Sequence, residues 1–175
     1  ATAYLAGWLK EEKSSLSVSV DGGGAGGKIG TAADGALNVR GFIEHPDVQL
    51  PPRADGKLDV GRCVGKNGTF TVIRDDGEGI PFVGTSPLVS GEIAEDLSAY
   101  FLTSEQRPTA VALGVKIAPD GRCIGAGGVF LQPLPGAGDE ALDFAQEAIG
   151  RYRNLSSVIA EAGAQSVLSA FGAKD

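Results

Sequence analysis

From Ser15 to Val20 the chain alternates strictly, with Leu16, Val18 and Val20 on one side and Ser15, Ser17 and Ser19 on the other. A period of two is that of a strand with one apolar and one hydroxyl-rich face, so this is the clearest strand in the sequence. Asp21-Gly22, Asp34-Gly35, Asp55-Gly56, Asn67-Gly68, Asp76-Gly77 and Asp120-Gly121 punctuate the first three quarters of the chain. Such dipeptides accept positive φ and suit tight hairpins, which predicts a largely antiparallel β protein. Residues 28–33 and 36–43 flank Asp34-Gly35 as one hairpin, and 69–74 continue as strand after Asn67-Gly68. Val111, Leu113, Val115 and Ile117 alternate with Ala110, Ala112, Gly114 and Lys116, giving a bulky face and a small-residue face suited to a strand covered by a helix. Residues 122–131 are the expected partner of that strand across Asp120-Gly121.

Elsewhere the period lengthens. Ile93, Leu97, Tyr100 and Phe101 share one helical face, Ser90 is a good N-cap residue, and Glu92, Glu95 and Asp96 bring negative charge to the helix start. The pattern predicts a helix over residues 90–103 packed on a sheet through those four apolar side chains, with the acids serving capping and solvation. At the start, Tyr4, Leu5, Trp8 and Leu9 form an apolar face with no cap before them, and the chain contains no Met. It therefore reads as a helix already in progress in a longer polypeptide. After Pro133, Pro135 and Gly136, Asp139 is placed to cap a helix whose Leu142, Ala145, Ile149 and Tyr152 share a face. Short helical segments follow around Val158-Ile159 and Val167-Leu168-Phe171. This segregated order predicts an α+β fold of antiparallel hairpin sheets, with a core over residues 1–136 and a helical part over 137–175.

A length of 175 residues suffices for one hydrophobic core. The net charge of −7 argues against nucleic-acid or anionic-membrane partners, and no apolar run is long enough for a membrane span. No charged-then-apolar leader opens the sequence, so a soluble cytoplasmic protein is expected, or an organellar one in a eukaryote.

Several motifs invite a chemical reading. Gly22 to Lys28 nearly satisfies the phosphate-binding pattern G-x-x-x-x-G-K-[ST], but Ile29 occupies the hydroxyl position and the following residues read as strand rather than helix. A hairpin loop is the better reading. His45 is the only His and lies beside Pro46 in an extended segment, with no nucleophile identifiable nearby. Cys63 and Cys123 are far apart and read as small buried hydrophobes. Two Cys and one His cannot complete a four-ligand zinc site, so no metal, cofactor or catalytic residue is expected. Trp8, Phe42, Phe70, Phe82, Phe101 and Phe130 are expected mostly in the core.

Two long ordered strings carry a resemblance. One runs Val89-Ser90-Gly91-Glu92-Ile93-Ala94-Glu95-Asp96-Leu97, then Tyr100-Phe101, Ser104-Glu105-Gln106 and Pro108. The other comprises Val39-Arg40-Gly41-Phe42, His45-Pro46-Asp47-Val48, Gly56-Lys57-Leu58-Asp59-Val60-Gly61, Val64-Gly65-Lys66-Asn67-Gly68-Thr69 and Thr71-Val72-Ile73-Arg74-Asp75. Together they resemble the redox-regulated heat-shock chaperonin of thirty-three kilodaltons, the HslO family. The resemblance covers nearly the whole chain, weakly after residue 136, and implies two sheets flanking buried helices. It further implies a holdase that captures unfolding proteins, dimerises when active, and is switched by oxidation of a zinc domain carrying CxC and CxxC pairs. Those pairs are not among these residues, so the chain is expected to supply the platform and to hold clients without an oxidation step. The signature residues implied as structural or client-platform positions are Gly56, Lys57, Asp59, Gly61, Gly65, Ser90, Gly91, Glu92, Glu95, Asp96, Ser104, Glu105 and Gln106. Two other readings are a small transferase using the Gly-rich loop and His45, and a passive oligomerisation domain.

Overall fold

The computed structural model describes residues 1–77, 79–150 and 155–161. Its contacts divide the chain into two compact units, Ala1–Gln106 and Arg107–Asp175.

The first unit is built on a five-stranded antiparallel sheet in the order β3-β2-β1-β4-β5. The strands are β1 (Ser15–Gly23), β2 (Ile29–Asp34), β3 (Val39–Ile43), β4 (Gly65–Asp75) and β5 (Phe82–Pro87). Three helices, α1 (Thr2–Ala6), α2 (Val60–Val64) and α3 (Ile93–Thr103), accompany them. The alternation in β1 behaves as its period requires. Leu16, Val18 and Val20 are buried, and Val18 and Val20 stand opposite Val72 and Phe70 of β4. α3 closes over this face with Leu97, Tyr100 and Phe101, all fully buried. Phe70 meets Tyr100 at 5.6 Å between ring centroids, and Trp8 meets Phe101 edge-on at 5.5 Å. Such ring pairs add about 0.5–1.5 kcal/mol each beyond their area.

Two of the Gly dipeptides are not turns. Asp21-Gly22 lies inside β1 and Asn67-Gly68 inside β4, where the strands meet at an irregular register with Gly22 and Gly23 both opposite Gly65. A Cβ on Gly68 would overlap the Asp21 carbonyl. These glycines serve close backbone approach at a bulge instead of chain reversal. The Asp34 loop does reverse the chain, with Asp34 Oδ1 accepting from the amides of Ala36 and Asn38 at 3.0 Å each.

Helix boundaries also differ. α3 begins at Ile93 rather than Ser90, because Gly91 at φ +80° lies outside helical space. α1 is only five residues long, and Trp8 lies beyond it. Of the six aromatic residues expected mostly in the core, Phe70, Phe101 and Phe130 are buried, whereas Trp8, Phe42 and Phe82 are each at least 40% exposed.

The second unit contains the hairpin β6 (Ala110–Ile117) and β7 (Cys123–Leu131), the helix α4 (Asp139–Gly150) and a helical stretch at 155–161. The small-residue face of the hairpin takes the later helix. Cβ atoms added to Gly114, Gly125 and Gly127 would press on Ser156, Ala160 and Ile159 respectively. Lys116 Nζ bonds Glu161 at 3.0 Å on the same face. α4 buries Ala145 and Ala148 and leaves Leu142 and Ile149 half-buried. Tyr152, Val167, Leu168 and Phe171 lie outside the described residues.

Candidate functional site

The signature string that runs from Val39 to Asp75 folds around the short helix α2. Asp59 is its N-cap, accepting from the Arg62 amide at 3.1 Å, and Gly65 at φ +77° turns the chain directly from α2 into β4. The last carbonyls of α2 would otherwise lack partners. They accept from the Gly-rich loop: Gly24 N–H to Val64 O at 3.0 Å, Ala25 N–H to Arg62 O at 3.3 Å, Gly26 N–H to Cys63 O at 2.8 Å. The loop is therefore a clasp on α2. Its amides are engaged with peptide carbonyls and do not converge on an anion, and β2 rather than a helix follows it.

The string that opens at Val89 locks onto the same place. A Cβ on Gly91 would stand 2.6 Å from Gly65 O and 2.8 Å from Gly61 O, so the three signature glycines pass one another backbone to backbone. Glu92 Oε1 accepts from the Gly61 amide and from Arg53 Nη1, each at 3.3 Å. Gly56 at φ +76° closes a turn in which Lys57 N–H meets Asp55 Oδ1 at 3.1 Å and Lys57 O accepts from Arg53 N–H at 2.8 Å.

The expectation that Ser90 caps α3 and that the acids are solvated holds only for the exposed Glu95. Glu92 occupies the N-cap position without a side-chain cap bond, while Ser90 Oγ accepts from the Glu92 amide at 3.2 Å. Asp96 is completely buried. Its Oδ1 accepts from the Val89 and Ser90 amides at 2.7 and 3.1 Å, because the loop folds back over the helix start. Its Oδ2 has no hydrogen-bond partner, and neither does the buried Ser86 Oγ.

At the other end of α3, Ser104 is the C-cap and Gln106 adopts φ +55°. Glu105 takes Arg74 Nη2 on both oxygens at 3.0 and 3.2 Å and the Tyr100 hydroxyl at 2.7 Å. Arg74 in turn lies 4.6 Å from the centre of the Phe82 ring. Burial, followed by the hydrogen bond and charge of Glu105, pushes the Tyr100 phenol far above its usual range.

Asp59, Gly61, Gly65, Ser90, Gly91, Glu92, Asp96 and Glu105 thus act as braces. His45 is exposed in a loop, its amide donating to Gly26 O at 3.0 Å. The two thiols are not the buried hydrophobes expected: Cys63 is half-buried in α2 and Cys123 exposed at the start of β7. Among the described residues, no three His, Cys, Asp or Glu side chains gather as metal ligands.

What periodicity did not single out is the solvent face of the five-stranded sheet and its edges. Phe42, Ile73 and Val83 point the same way as the serines of β1, and Phe42 and Val83 are 60% and 59% exposed. The available signal was Phe42 itself, an aromatic in register with Arg40 on a strand flanked by exposed turns.

The family model described as Hsp33 protein matches residues 1–174. The 33 kDa chaperonin of Staphylococcus carnosus (strain TM300) is 42% identical over 159 residues, 91% of this chain and 54% of that protein. The 33 kDa chaperonin of Alkaliphilus metalliredigens (strain QYMF) is 42% identical over 167 residues, 95% of this chain and 57% of that protein. The crystal structure of the 33 kDa chaperonin (heat shock protein 33 homolog) from Thermotoga maritima superposes with a TM-score of 0.87 at 35% identity, covering 99% of this chain and 60% of that one. The chain spans somewhat over half the length of the curated relatives it matches.

Proposed function

The chain belongs to the Hsp33 family, and from that premise we propose that its residues form the client-holding core of a redox-regulated, non-enzymatic chaperone. In this reading residues 1–136 are the chaperone core, clients are unfolding proteins, the active form is a homodimer, and the protein works in the cytoplasm without a metal or cofactor bound by these residues. The observation that carries the reading is a division of labour within the first unit. The side chains of Asp59, Ser90, Glu92, Asp96 and Glu105 are consumed in bracing α2 and α3, whereas large apolar side chains on and beside the sheet, among them Phe42, Leu58, Ile80 and Val83, face solvent. Capture of a client would be driven by burying such surface, at about 25 cal/mol per Å². A transferase reading has lost its main support, since the amides of the Gly-rich loop already donate to the carbonyls of residues 62–64.

The test is light scattering from a thermally unfolding client with and without an equimolar amount of the 175-residue chain. Suppressed scattering is expected. Unaltered aggregation removes the holdase reading and leaves membership of the family.

A further inference from the structure

β3 is an outermost strand, and four of its five residues are exposed. Its hydrogen-bonding direction follows from its ends. Asp34 N–H donates to Asn38 O and Glu44 N–H to Lys28 O, so the even-numbered residues of this segment bond inward to β2. Backbone direction alternates along an antiparallel strand, which turns the N–H and C=O groups of Val39, Gly41 and Ile43 outward. Such an edge is a template for another strand unless it is blunted by proline, charge or a bulge. β5, the opposite edge, ends in Pro87, and its Phe82 is taken by Arg74. β3 contains no proline and pairs with β2 without a register shift.

Beside the edge lies a shallow groove of about 420 Å³ floored by Ser17, Ser19, Gly30 and Ala32. Phe42, Arg40 and Lys28 line it, with the Phe42 ring against Gly30. Both cations are exposed, and no ion pair engages either among the described residues, in a chain of net charge −7. A strand laid against β3 would place alternate side chains beside Phe42 and Arg40. An apolar residue suits the first and a carboxylate the second, because opposite charges on neighbouring strands attract and like charges repel.

We propose that the outer edge of β3 and this groove bind an extended client segment in which apolar and acidic residues alternate at every second position, so that both kinds share one face, added to the sheet as a further strand. The inference rests on the holdase reading and specifies how that activity takes hold of its client. Main-chain bonding supplies sequence tolerance, and Arg40 with Lys28 supplies the acidic preference.

Binding of two short labelled peptides, one with valine and glutamate alternating at every second position between threonines and one with valine and lysine so placed, is measured by fluorescence anisotropy. The native chain should favour the glutamate peptide. Arg40→Glu should weaken that peptide by about tenfold or more and strengthen the lysine peptide. Val39→Pro, which deletes an outward N–H and spares the inward bonds, should weaken both. Equal affinities across native chain and variants overturn the proposal, as does a change in self-association alone by sedimentation velocity, which would make a second copy the occupant. Client scattering separates the two levels. Suppression by the native chain with no peptide preference sinks the β3 edge and leaves the holdase. Peptide binding at β3 with unaltered aggregation sinks the holdase reading and the client as occupant with it.

Discussion

Two signature glycines with nearly the same backbone angle should respond very differently to alanine. Gly56 at φ +76° has no atom within 4 Å of an added Cβ, whereas at Gly91, φ +80°, that Cβ would stand 2.6 Å from Gly65 O and 2.8 Å from Gly61 O. Both substitutions carry the left-handed penalty of about 1–2 kcal/mol, offset by roughly 0.4–1 kcal/mol from the less flexible unfolded chain. Gly56→Ala should therefore cost about 0–1.6 kcal/mol. Gly91→Ala adds an overlap with two backbone oxygens, which cannot rotate aside as a side chain would. Overpacking of this kind costs about 1–3 kcal/mol, for a total of about 1–4.6 kcal/mol with the backbone term. Urea titration followed by the single Trp8, packed on Phe101 in the same unit, reads this difference directly. The midpoint should fall much further for Gly91→Ala at an unchanged slope. If the two variants lose the same stability, the crossing of Gly61, Gly65 and Gly91 is not the brace described above.

Three further outcomes follow from the same packing. Leu97→Ala, at a fully buried position, should cost about 2–5 kcal/mol in denaturant melts, and a loss under about half a kcal/mol would place α3 outside the core. Tyr100→Phe deletes the bond to Glu105 and should cost about 1–2 kcal/mol near neutral pH, Glu105 keeping Arg74. Because the folded phenol titrates above its ordinary value of 10.0, the unfolded chain ionises first, so stability should fall as pH rises above that value. Tyr100→Phe should flatten this alkaline slope, and identical slopes would refute the assignment. Cys63→Ser combined with Cys123→Ser should leave client suppression the same before and after peroxide, and a response to peroxide lost only in the double variant would make these thiols the switch.

The strands and the apolar face of α3 could be read from the sequence because their periods report burial directly. Leu16, Val18, Val20, Leu97, Tyr100 and Phe101 all lie where alternation or helical spacing puts them. The Gly dipeptides were ambiguous because a missing Cβ serves a turn at Gly121 and close strand contact at Gly68 equally well, and only the distant partner strand decides. Asp96 misleads for a similar reason. An acid in the first turn of a helix reads as solvated, and its burial depends on the Val89 and Ser90 amides folding back onto it. The exposure of Phe42 follows from which side of the sheet α3 covers, a tertiary choice no local pattern encodes, whereas Phe82 lies on the covered side but at the start of the edge strand β5, opposite Arg74.

β1 acquires its two neighbours at very different moments in the life of the chain. β2 follows it immediately, but β4 pairs with it only after residues 24–64 have been added. Closing so long a loop costs more entropy than closing a hairpin, though only about 0.6 kcal/mol per doubling of length. Synthesis imposes the larger delay: roughly 3–10 s at about 5–20 residues per second separates the appearance of β1 from that of Asp75. Throughout that interval one side of β1 is an unpaired edge and Leu16, Val18 and Val20 lack Val72, Phe70 and α3. A ribosome making this protein therefore displays, for several seconds each round, the sort of half-paired apolar strand that aggregates. Substitutions that slow the arrival of β4 should accordingly lower soluble yield out of proportion to any loss of equilibrium stability.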